Sequence, residues 1–513
     1  MNIAFIPIDN RPVCYTLPEQ VCAINSSINL FMPERKYLGS LTKYADVDKI
    51  FEWLEKIPQV DAIVMCLDTV AYGGLISSRR CPDTFDEIKN RVENLKSILE
   101  KKNAKIYAFS SIMRISNNNV NEEEKEYWDK WGKKIFDYSY QTHKLGTESC
   151  ISNIIPSEIL DDYLATRKRN FEINKLYLEY QKQGLFDTLV FSKDDCAEYG
   201  FNVQEAQVLE KLGGFVKTGA DEIPLTLLAR AVVKFFDAKM QRCKDAKSFT
   251  EPVAQSRHCE CERSNSVNSK VVGRDYCLDD ETSLKISPIF LAPEYKGLIS
   301  NYEDVSIEKS VKGQLELAGC KVCEPDEADI LLYVNNFEDH QGEIVMKVPT
   351  KPFSKKWQRP EKPYMIADVR YANGADNEFV KQLFEVGLGD NFYGYSAWNT
   401  SANSLGSLIC GAVVKFFDAR MQRCQNDNSK TVDRDYYPDN KNFLKLQTIR
   451  FLDDWAYQAN VRQELNSPDE KLVKEKMKPY EKMVFGLLGV AYNISYKFTW
   501  NRLFEVEICI LSN

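Results

Sequence analysis

Two pairs of adjacent acidic residues are the side chains of this sequence best suited to acid–base chemistry. Asp194 and Asp195 follow the apolar run at 188–191, and Asp221 and Glu222 follow the segment GFVKTGA. Hydrolysis of a glycosidic bond needs one protonated and one ionised carboxyl group, and crowding of like charges raises the pKa of one of them. These four residues are the candidate catalytic residues. Glu222 is predicted to be the general acid, with Asp221 orienting it and Asp195 as the second carboxylate.

Polar side chains also follow most of the other apolar runs of strand length. The candidate substrate-binding residues of this kind are Asp9, Arg11, Asp68, Tyr72, Arg114, Asp368, Trp398, Asn399 and Asn403. Trp398 offers an apolar platform for a sugar ring, and the two asparagines offer amide donors and acceptors for hydroxyl groups. A single aspartate in such a place commonly caps the next helix, and the loop at 394–406 is also typical of a turn before a capped helix. Seven polar ends together favour one shared cleft.

A metal or nucleotide site has less support from the residue types. Acids and amides could hold Mg²⁺ or Ca²⁺, which prefer oxygen ligands, so a divalent-metal enzyme stays open as an alternative, although no metal ligands are assigned. The chain has only 3 histidines, too few for a multi-histidine zinc site beside a catalytic triad. No Walker or GxGxxG segment lies between a strand and a helix, so no cofactor is predicted.

Apolar runs of strand length alternate with stretches of helical spacing. Thr84 to Lys101 has apolar residues three and four apart and a capping box of Thr84 and Glu87 at its start. Alternation of this kind predicts parallel strands covered by helices, with ligands at the carboxyl ends of the strands. The predicted fold is α/β with mainly parallel strands: a barrel-like or doubly wound first half, a second α/β unit and a helical C-terminal region. One continuous doubly wound sheet is the alternative.

A near-identical repeat complicates the division into domains. AVVKFFDAKMQRC at 231–243 recurs as AVVKFFDARMQRC at 412–424, and a polar stretch follows the first copy. Few large apolar residues at 244–270 predict a mobile, dispensable surface loop. The predicted domains are an α/β, barrel-like domain at 1–230 with a helical insertion at about 121–184, a repeat-bearing mobile insert at 231–285, a second α/β unit at 286–445 and a helical C-terminal region at 446–513.

Composition limits the classes of partner. A chain of 513 residues with 44% hydrophobic and 28% charged residues is typical of globular domains. The net charge of −8 disfavours nucleic acid as a partner, and the sequence has no apolar run of about 18 residues for a membrane span. The start, MNIAFIPIDNRP, is typical of a first strand and not of a signal peptide, which predicts a cytoplasmic protein. The expected partner is a small polar molecule or carbohydrate, and the oligomeric state is left open.

Nine segments resemble a bacterial family catalogued as domain of unknown function 4127. They are PIDNRPVCYTLP, LDTVAYGGLISSR, IMRISNN, KDDCAEYGFNVQE, TGADEIPLTLLAR, DVRYANGAD, YSAWNTSANSLG, DDWAYQANVR and WNRLFEVEI. The resemblance spans nearly the whole chain and implies that the strand-end acids belong to a family pattern, but it implies no activity. The 231–285 block departs from that pattern. More weakly, GADE at 219–222 and SKDD at 192–195 resemble the acid pairs of retaining hexosaminidases.

The functional expectation is therefore a carbohydrate-active enzyme, a glycoside hydrolase with paired carboxylates at strand ends. The alternatives are a divalent-metal enzyme acting on a phosphorylated or polyhydroxy molecule, and a non-catalytic sugar-binding protein.

Overall fold

The computed structural model describes residues 1–248, 284–426 and 441–511 of the chain. It contains two open, parallel β-sheets covered by helices, followed by a helical region and a terminal hairpin. The predicted α/β class with mainly parallel strands is confirmed. Each sheet with its helices is called a unit here.

The first sheet has six parallel strands in the order β2-β1-β3-β4-β5-β6. They are β1 (Asn2–Ile6), β2 (Asn29–Phe31), β3 (Ala62–Cys66), β4 (Lys105–Ile112), β5 (Thr188–Lys193) and β6 (Phe215–Thr218). All five residues of β3 are buried, as expected for a central strand with helices on both faces. Of the two architectures predicted for the first half, the doubly wound sheet is confirmed. The barrel is not formed, because β2 and β6 remain edge strands.

Helices cover both faces of this sheet. They are α1 (Thr16–Cys22), α2 (Val47–Lys56), α3 (Leu67–Tyr72), α4 (Ser77–Arg80), α5 (Phe85–Leu99), α6 (Trp128–Leu145), α7 (Ser157–Lys182), α8 (Phe201–Lys211) and α9 (Ile223–Ser248). The capping box of Thr84 and Glu87 is present at the start of α5. Helices α6 and α7 occupy the stretch predicted as a helical insertion, between β4 and β5.

The second unit repeats the topology of the first. Its strands and helices are β7 (Lys285–Phe290), α10 (Ile307–Leu317), β8 (Lys321–Val322), β9 (Ile330–Asn335), β10 (Gly342–Glu343), β11 (Tyr364–Asp368), β12 (Tyr371–Ala372), α11 (Asn377–Val386), β13 (Phe392–Ser396) and α12 (Ser401–Asn426). The sheet order is β13-β11-β9-β7-β8, and β10 pairs separately with β12. When the strands of each large sheet are numbered from one in chain order, both sheets contain the spatial order 2-1-3-4-5. The first sheet has a sixth strand beyond the fifth. In this topology ligands bind beyond the carboxyl ends of the strands.

The two copies of the repeated segment lie in α9 and α12, which pack against each other. Phe236 and Phe417 hold the same position in the two copies, and their rings stack with centroids 5.4 Å apart. Val232 and Val413, also equivalent, are fully buried. The domain boundary predicted at residue 230 therefore falls inside α9. Most of the predicted mobile loop, residues 249–270, lies outside the described residues.

The C-terminal region is helical, as predicted, but ends in a hairpin. It comprises α13 (Lys441–Arg450), a π-helix (Phe451–Asn460), a 3₁₀ turn (Val461–Glu464), α14 (Glu470–Leu488), β14 (Asn493–Lys497) and β15 (Glu507–Leu511). The two strands are antiparallel. The residues between them, 498–506, are called the C-terminal loop. Across the described parts of the chain, no helix is long and apolar enough to cross a membrane.

Candidate active site

Arg11 ties together the loops that follow β1 and β6. Its Nε donates to both carboxylate oxygens of Asp9, at 3.0 and 2.9 Å, and its Nη atoms reach the two oxygens of Asp221 at 2.9 and 2.5 Å. The guanidinium also lies 5.1 Å from the ring centre of Trp500 in the C-terminal loop. Fork-to-fork pairing of this kind fixes geometry as well as charge. Asp221 is thus held by Arg11 and makes no hydrogen bond to Glu222.

Glu222 lies beneath the surface, where the two units meet. Its side chain accepts hydrogen bonds from the backbone N–H of Ala220 at 3.2 Å and from Nε2 of Gln314 in α10 at 3.1 Å. Burial, followed by the charges of Asp194 and Asp221, raises its pKa well above the ordinary value. The turn before it requires glycine, because a Cβ on Gly219 (φ +114°) would lie 1.7 Å from Oε1 of Glu222. Glu222 is an enclosed carboxyl group that joins the units.

Asp194 and Asp195 follow β5 and have contrasting surroundings. Asp195 accepts a hydrogen bond from Oγ of Ser116 at 2.9 Å and pairs with Arg114 at 3.2 Å. Asp194 is partly buried. Burial and the neighbouring charge of Asp195 raise its pKa to about 7, against the opposing effect of Arg114. One carboxyl group is therefore protonated near neutral pH beside another that is paired with a cation.

A small cavity of about 10 Å³, room for about one water molecule, adjoins Asp194 at the ends of β4, β5 and β6. Arg79, Arg114 and Ser192 are among the residues that line it. The Oγ of Ser192 is fully buried and has no hydrogen-bond partner in the described structure. Because an unpaired buried hydroxyl is costly, a water molecule or a ligand hydroxyl in the cavity would satisfy it. Sequence reasoning did not assign Ser192 to the site, although it directly follows the apolar run at 188–191 and precedes Asp194 by two residues.

Arginines and glutamates from three distant segments form a network around this cavity. Glu123 accepts hydrogen bonds from Arg114 at 2.9 Å and from Arg502 at 2.7 Å, and it lies 3.5 Å from Arg79. Burial opposes ionisation of Glu123, yet these three cations together lower its pKa well below the ordinary value. Arg502 also pairs with Glu505. Of these residues only Arg114 was predicted, because the others are far apart in the chain and follow no strand of the first sheet.

Asp68 and Tyr72 lie in α3, behind the rest of the site. Asp68 is 1% exposed, and its Oδ2 accepts from the backbone N–H of Ser111 at 2.8 Å. Burial raises its pKa to about 6, against the effect of that hydrogen bond. Its Oδ1 and the hydroxyl of Tyr72 are buried without a hydrogen-bond partner in the described structure. They are interior polar groups between β3 and β4 and not part of the open surface.

Asp368 belongs to the interior of the second unit. It accepts hydrogen bonds from Asn335 at 2.8 Å, from the backbone N–H of Asp376 at 2.9 Å and from the hydroxyl of Tyr395 at 3.1 Å. Burial, followed by the charge of Asp376, raises its pKa to about 7. Both carboxyl oxygens are used within the protein, so Asp368 orders the ends of β9, β11 and β13.

The loop after β13 also packs inward. Trp398 is 4% exposed, and its ring lies 6.1 Å from that of Phe504 in the C-terminal loop. Asn399 has a left-handed backbone, and its carbonyl oxygen accepts from the N–H of Asn373 at 2.8 Å. Asn403 is buried in the first turn of α12. Trp398 therefore joins the second unit to the C-terminal loop and has no free face for a sugar ring.

The positive charges needed to balance the acids of this site are supplied by arginine. Asp9 and Asp221 pair with Arg11, Asp195 with Arg114, and Glu123 with Arg502 and its neighbours. Within the residues that the structure describes, no group of three or more His, Cys, Asp or Glu side chains is arranged to hold a metal ion. The arrangement is suited to binding a polar molecule and to transferring a proton from Asp194.

Comparison with known proteins gives a family without an assigned activity. No curated protein and no solved structure matches the chain, and the likeness of GADE and SKDD to hexosaminidases has no support among these comparisons. One family model matches residues 3–509, which is nearly the whole chain and includes every acid of the site. The chain belongs to the family described as protein of unknown function (DUF4127).

Proposed function

We propose that this chain is a carbohydrate-active enzyme, a glycoside hydrolase in which Asp194 is the proton donor. The observation that carries the proposal is the contrast between Asp194, whose pKa is raised to about 7, and Asp195, which is paired with Arg114. Glycosidases use two carboxyl groups whose environments separate their protonation states. Glu222 is less suited to the role of acid, because its carboxyl group is enclosed between Ala220 and Gln314.

The proposed reaction uses both carboxyl groups. Asp194 gives its proton to the glycosidic oxygen as the bond from that oxygen to the anomeric carbon breaks. A water molecule attacks the anomeric carbon and gives its proton to the carboxylate of Asp195. The cavity beside Asp194 and Ser192 has room for about one water molecule, which the unpaired Ser192 hydroxyl could bind. The Arg114–Asp195 pair keeps the base in position.

A non-catalytic sugar-binding protein is the second candidate. It is favoured by the rigid pairing of Arg11 with both Asp9 and Asp221, which presents fixed polar groups without a free nucleophile. The divalent-metal enzyme has less support, since arginines already balance the acids of the site.

The test is hydrolysis of a panel of 4-nitrophenyl glycosides by the purified protein and its variants. We expect Asp194→Asn and Asp195→Asn each to lower kcat/KM at least 100-fold while the melting temperature stays within a few degrees. Asp161→Asn changes an exposed aspartate of α7 and serves as the matched control, with unchanged activity. Glycosides that raise the melting temperature but are not hydrolysed would favour the binding protein. Hydrolysis that survives in Asp194→Asn would refute the assignment of the proton donor.

A further inference from the structure

A short segment of the second unit, residues 300–304, reaches onto the first unit beside Asp195. Asp304 accepts a hydrogen bond from Oγ1 of Thr218 at 2.8 Å and pairs with Lys193, so it is bound to the ends of β5 and β6. Glu303 accepts from the N–H of Ala402 at 2.7 Å, and the N–H of Asn301 donates to Gln341 at 2.7 Å. The segment is thus fixed to both units on either side of Tyr302.

Tyr302 has an unusual backbone conformation for an aromatic residue. Its φ is +67°, a left-handed value that bulky side chains rarely adopt. Its carbonyl oxygen accepts from the N–H of Cys196 at 3.3 Å, directly after the acid pair. Strained conformations of this kind persist where the surroundings fix them, and they concentrate at functional sites.

The hydroxyl of Tyr302 is available to a ligand. It makes no hydrogen bond to any described residue, and the side chain is partly exposed. Burial and then the negative charges of Glu343 and Asp195 raise the pKa of Tyr302 to about 12. The phenol therefore stays protonated at neutral pH, and the hydrogen bond from Cys196 to the Tyr302 carbonyl oxygen places the residue beside the Asp195 loop. Glu343 itself is 3% exposed, and its two carboxyl oxygens accept from Nδ2 of Asn373 at 2.6 Å and from the backbone N–H of Met346, so it is not open to a ligand.

Tyr302 is one of several non-glycine residues with a left-handed backbone. In the described structure six non-glycine residues have positive φ: Asp195, Tyr302, Lys347, Asn373, Asn399 and Asn501. All but Lys347 lie in loops at the carboxyl ends of the sheets, in the segment at 300–304 or in the C-terminal loop. Asparagine adopts this conformation readily, so Tyr302 is the residue whose conformation most needs a functional explanation.

We infer that Tyr302 is a substrate-contacting residue supplied by the second unit, and that its hydroxyl hydrogen-bonds a hydroxyl-bearing ring lying beside Asp195. Ionised carboxylates only accept hydrogen bonds, whereas a phenol both donates and accepts. A ligand hydroxyl can donate to the carboxylate of Asp195 and accept from the phenol of Tyr302. The inference rests on the proposed function for the identity of the ring as a sugar, and it adds that the site is complete only when both units contribute.

The experiment compares Tyr302→Phe, Tyr302→Ala and Tyr302→Gly with the wild type. Glycine tolerates a positive φ and alanine does not, so we expect Tyr302→Gly to melt at a higher temperature than Tyr302→Ala. All three variants should lower kcat/KM at least tenfold for the 4-nitrophenyl glycoside that the wild type hydrolyses best. At exposed Lys347, a Gly variant should likewise melt above an Ala variant, but both should keep full activity.

Several outcomes would overturn the inference. Wild-type kcat/KM in Tyr302→Phe, together with loss of activity in Asp194→Asn, would refute the role of Tyr302 and leave the proposed hydrolysis standing. A higher melting temperature for Tyr302→Ala than for Tyr302→Gly would refute the left-handed conformation. If the wild type hydrolyses none of the glycosides, the readout is the rise in melting temperature that the same compounds cause. If the glycosides raise the melting temperature of the wild type but not that of Tyr302→Phe, the Tyr302 contact is supported although the hydrolysis proposal fails. If they do not raise the melting temperature of the wild type, both the contact and the hydrolysis proposal are refuted.

Discussion

Arg11 and Asp221, 210 positions apart in the chain, form a two-point ion pair with N–O distances of 2.9 and 2.5 Å. The pair joins the loops after β1 and β6, which are separated by three strands of the sheet. Both side chains are buried, at 5% and 8% exposure. The carboxyl edge of the first sheet is therefore held by a buried interaction that no local sequence pattern specifies.

We expect Arg11→Met to lower the free energy of unfolding by about 3–5 kcal/mol, because it leaves Asp9 and Asp221 buried without their cation. Arg11→Lys should cost less but still destabilise, since an ammonium group cannot reproduce the guanidinium fork. Urea unfolding measures both changes. The double variant Arg11→Met/Asp221→Asn should lose less than the sum of the single variants. Additive losses would show that the two residues do not interact.

The proposed hydrolysis should weaken as the pH rises above about 7. Asp194 must carry a proton to act as the acid, and its pKa is raised to about 7 by burial and by Asp195. A pH profile of kcat/KM for the best 4-nitrophenyl glycoside measures this decrease in activity. The exposed-site control Asp161→Asn should reproduce the wild-type profile. An activity that stays constant from pH 6 to pH 9 would contradict the role of Asp194.

The raised pKa of Asp194 also predicts how the stability of the folded protein changes with pH. The folded protein keeps the Asp194 proton up to about pH 7, whereas the unfolded chain loses it near the ordinary value of 3.8. The unfolded state therefore binds fewer protons in this window, so the contribution of Asp194 to stability decreases as the pH rises from about 4 to about 7. Melting temperatures at pH 5 and pH 8 should differ less in Asp194→Asn than in the wild type. An equal difference would contradict the shift.

The stacked pair Phe236–Phe417 should be important for joining the two units. Both rings are fully buried, and their centroids are 5.4 Å apart. We expect Phe417→Ala to cost about 3–5 kcal/mol in the free energy of unfolding, the usual range for a large core truncation. Phe416→Ala, at a partly exposed neighbouring position, is the matched control and should cost clearly less in urea unfolding. Equal losses would show that the contact between the repeats is not a special source of stability.

Local patterns predicted the elements of the fold well. The apolar run at 188–191 lies in β5, and the Thr84–Glu87 capping box starts α5, because strand burial and helix capping involve neighbouring residues. Strand β7 (Lys285–Phe290) shows no continuous apolar run, because it contains Ser287 and Pro288. The two-residue strand β8 was missed because it is too short to show a pattern.

The choice between barrel and open sheet could not be made from these runs. Buried parallel strands have the same apolar composition in both architectures. What decides between them is whether the edge strands pair, and β2 and β6 do not. The terminal hairpin at 493–511 was missed for a similar reason, because β14 gains its partner only from residues beyond the C-terminal loop.

The sequence by itself determined that this is an α/β protein of parallel strands, and that the acids Asp9, Asp194, Asp195 and Asp221 follow strand segments. Only the tertiary structure decided what surrounds those acids: Arg11 pairs with Asp221, Glu123 meets Arg502 across 379 positions, and Tyr302 comes from the second unit. The physical reason is that strand formation depends on the burial of neighbouring residues. The pKa and the hydrogen-bond partners of a carboxyl group depend on charges and burial contributed by segments that meet only in the folded chain.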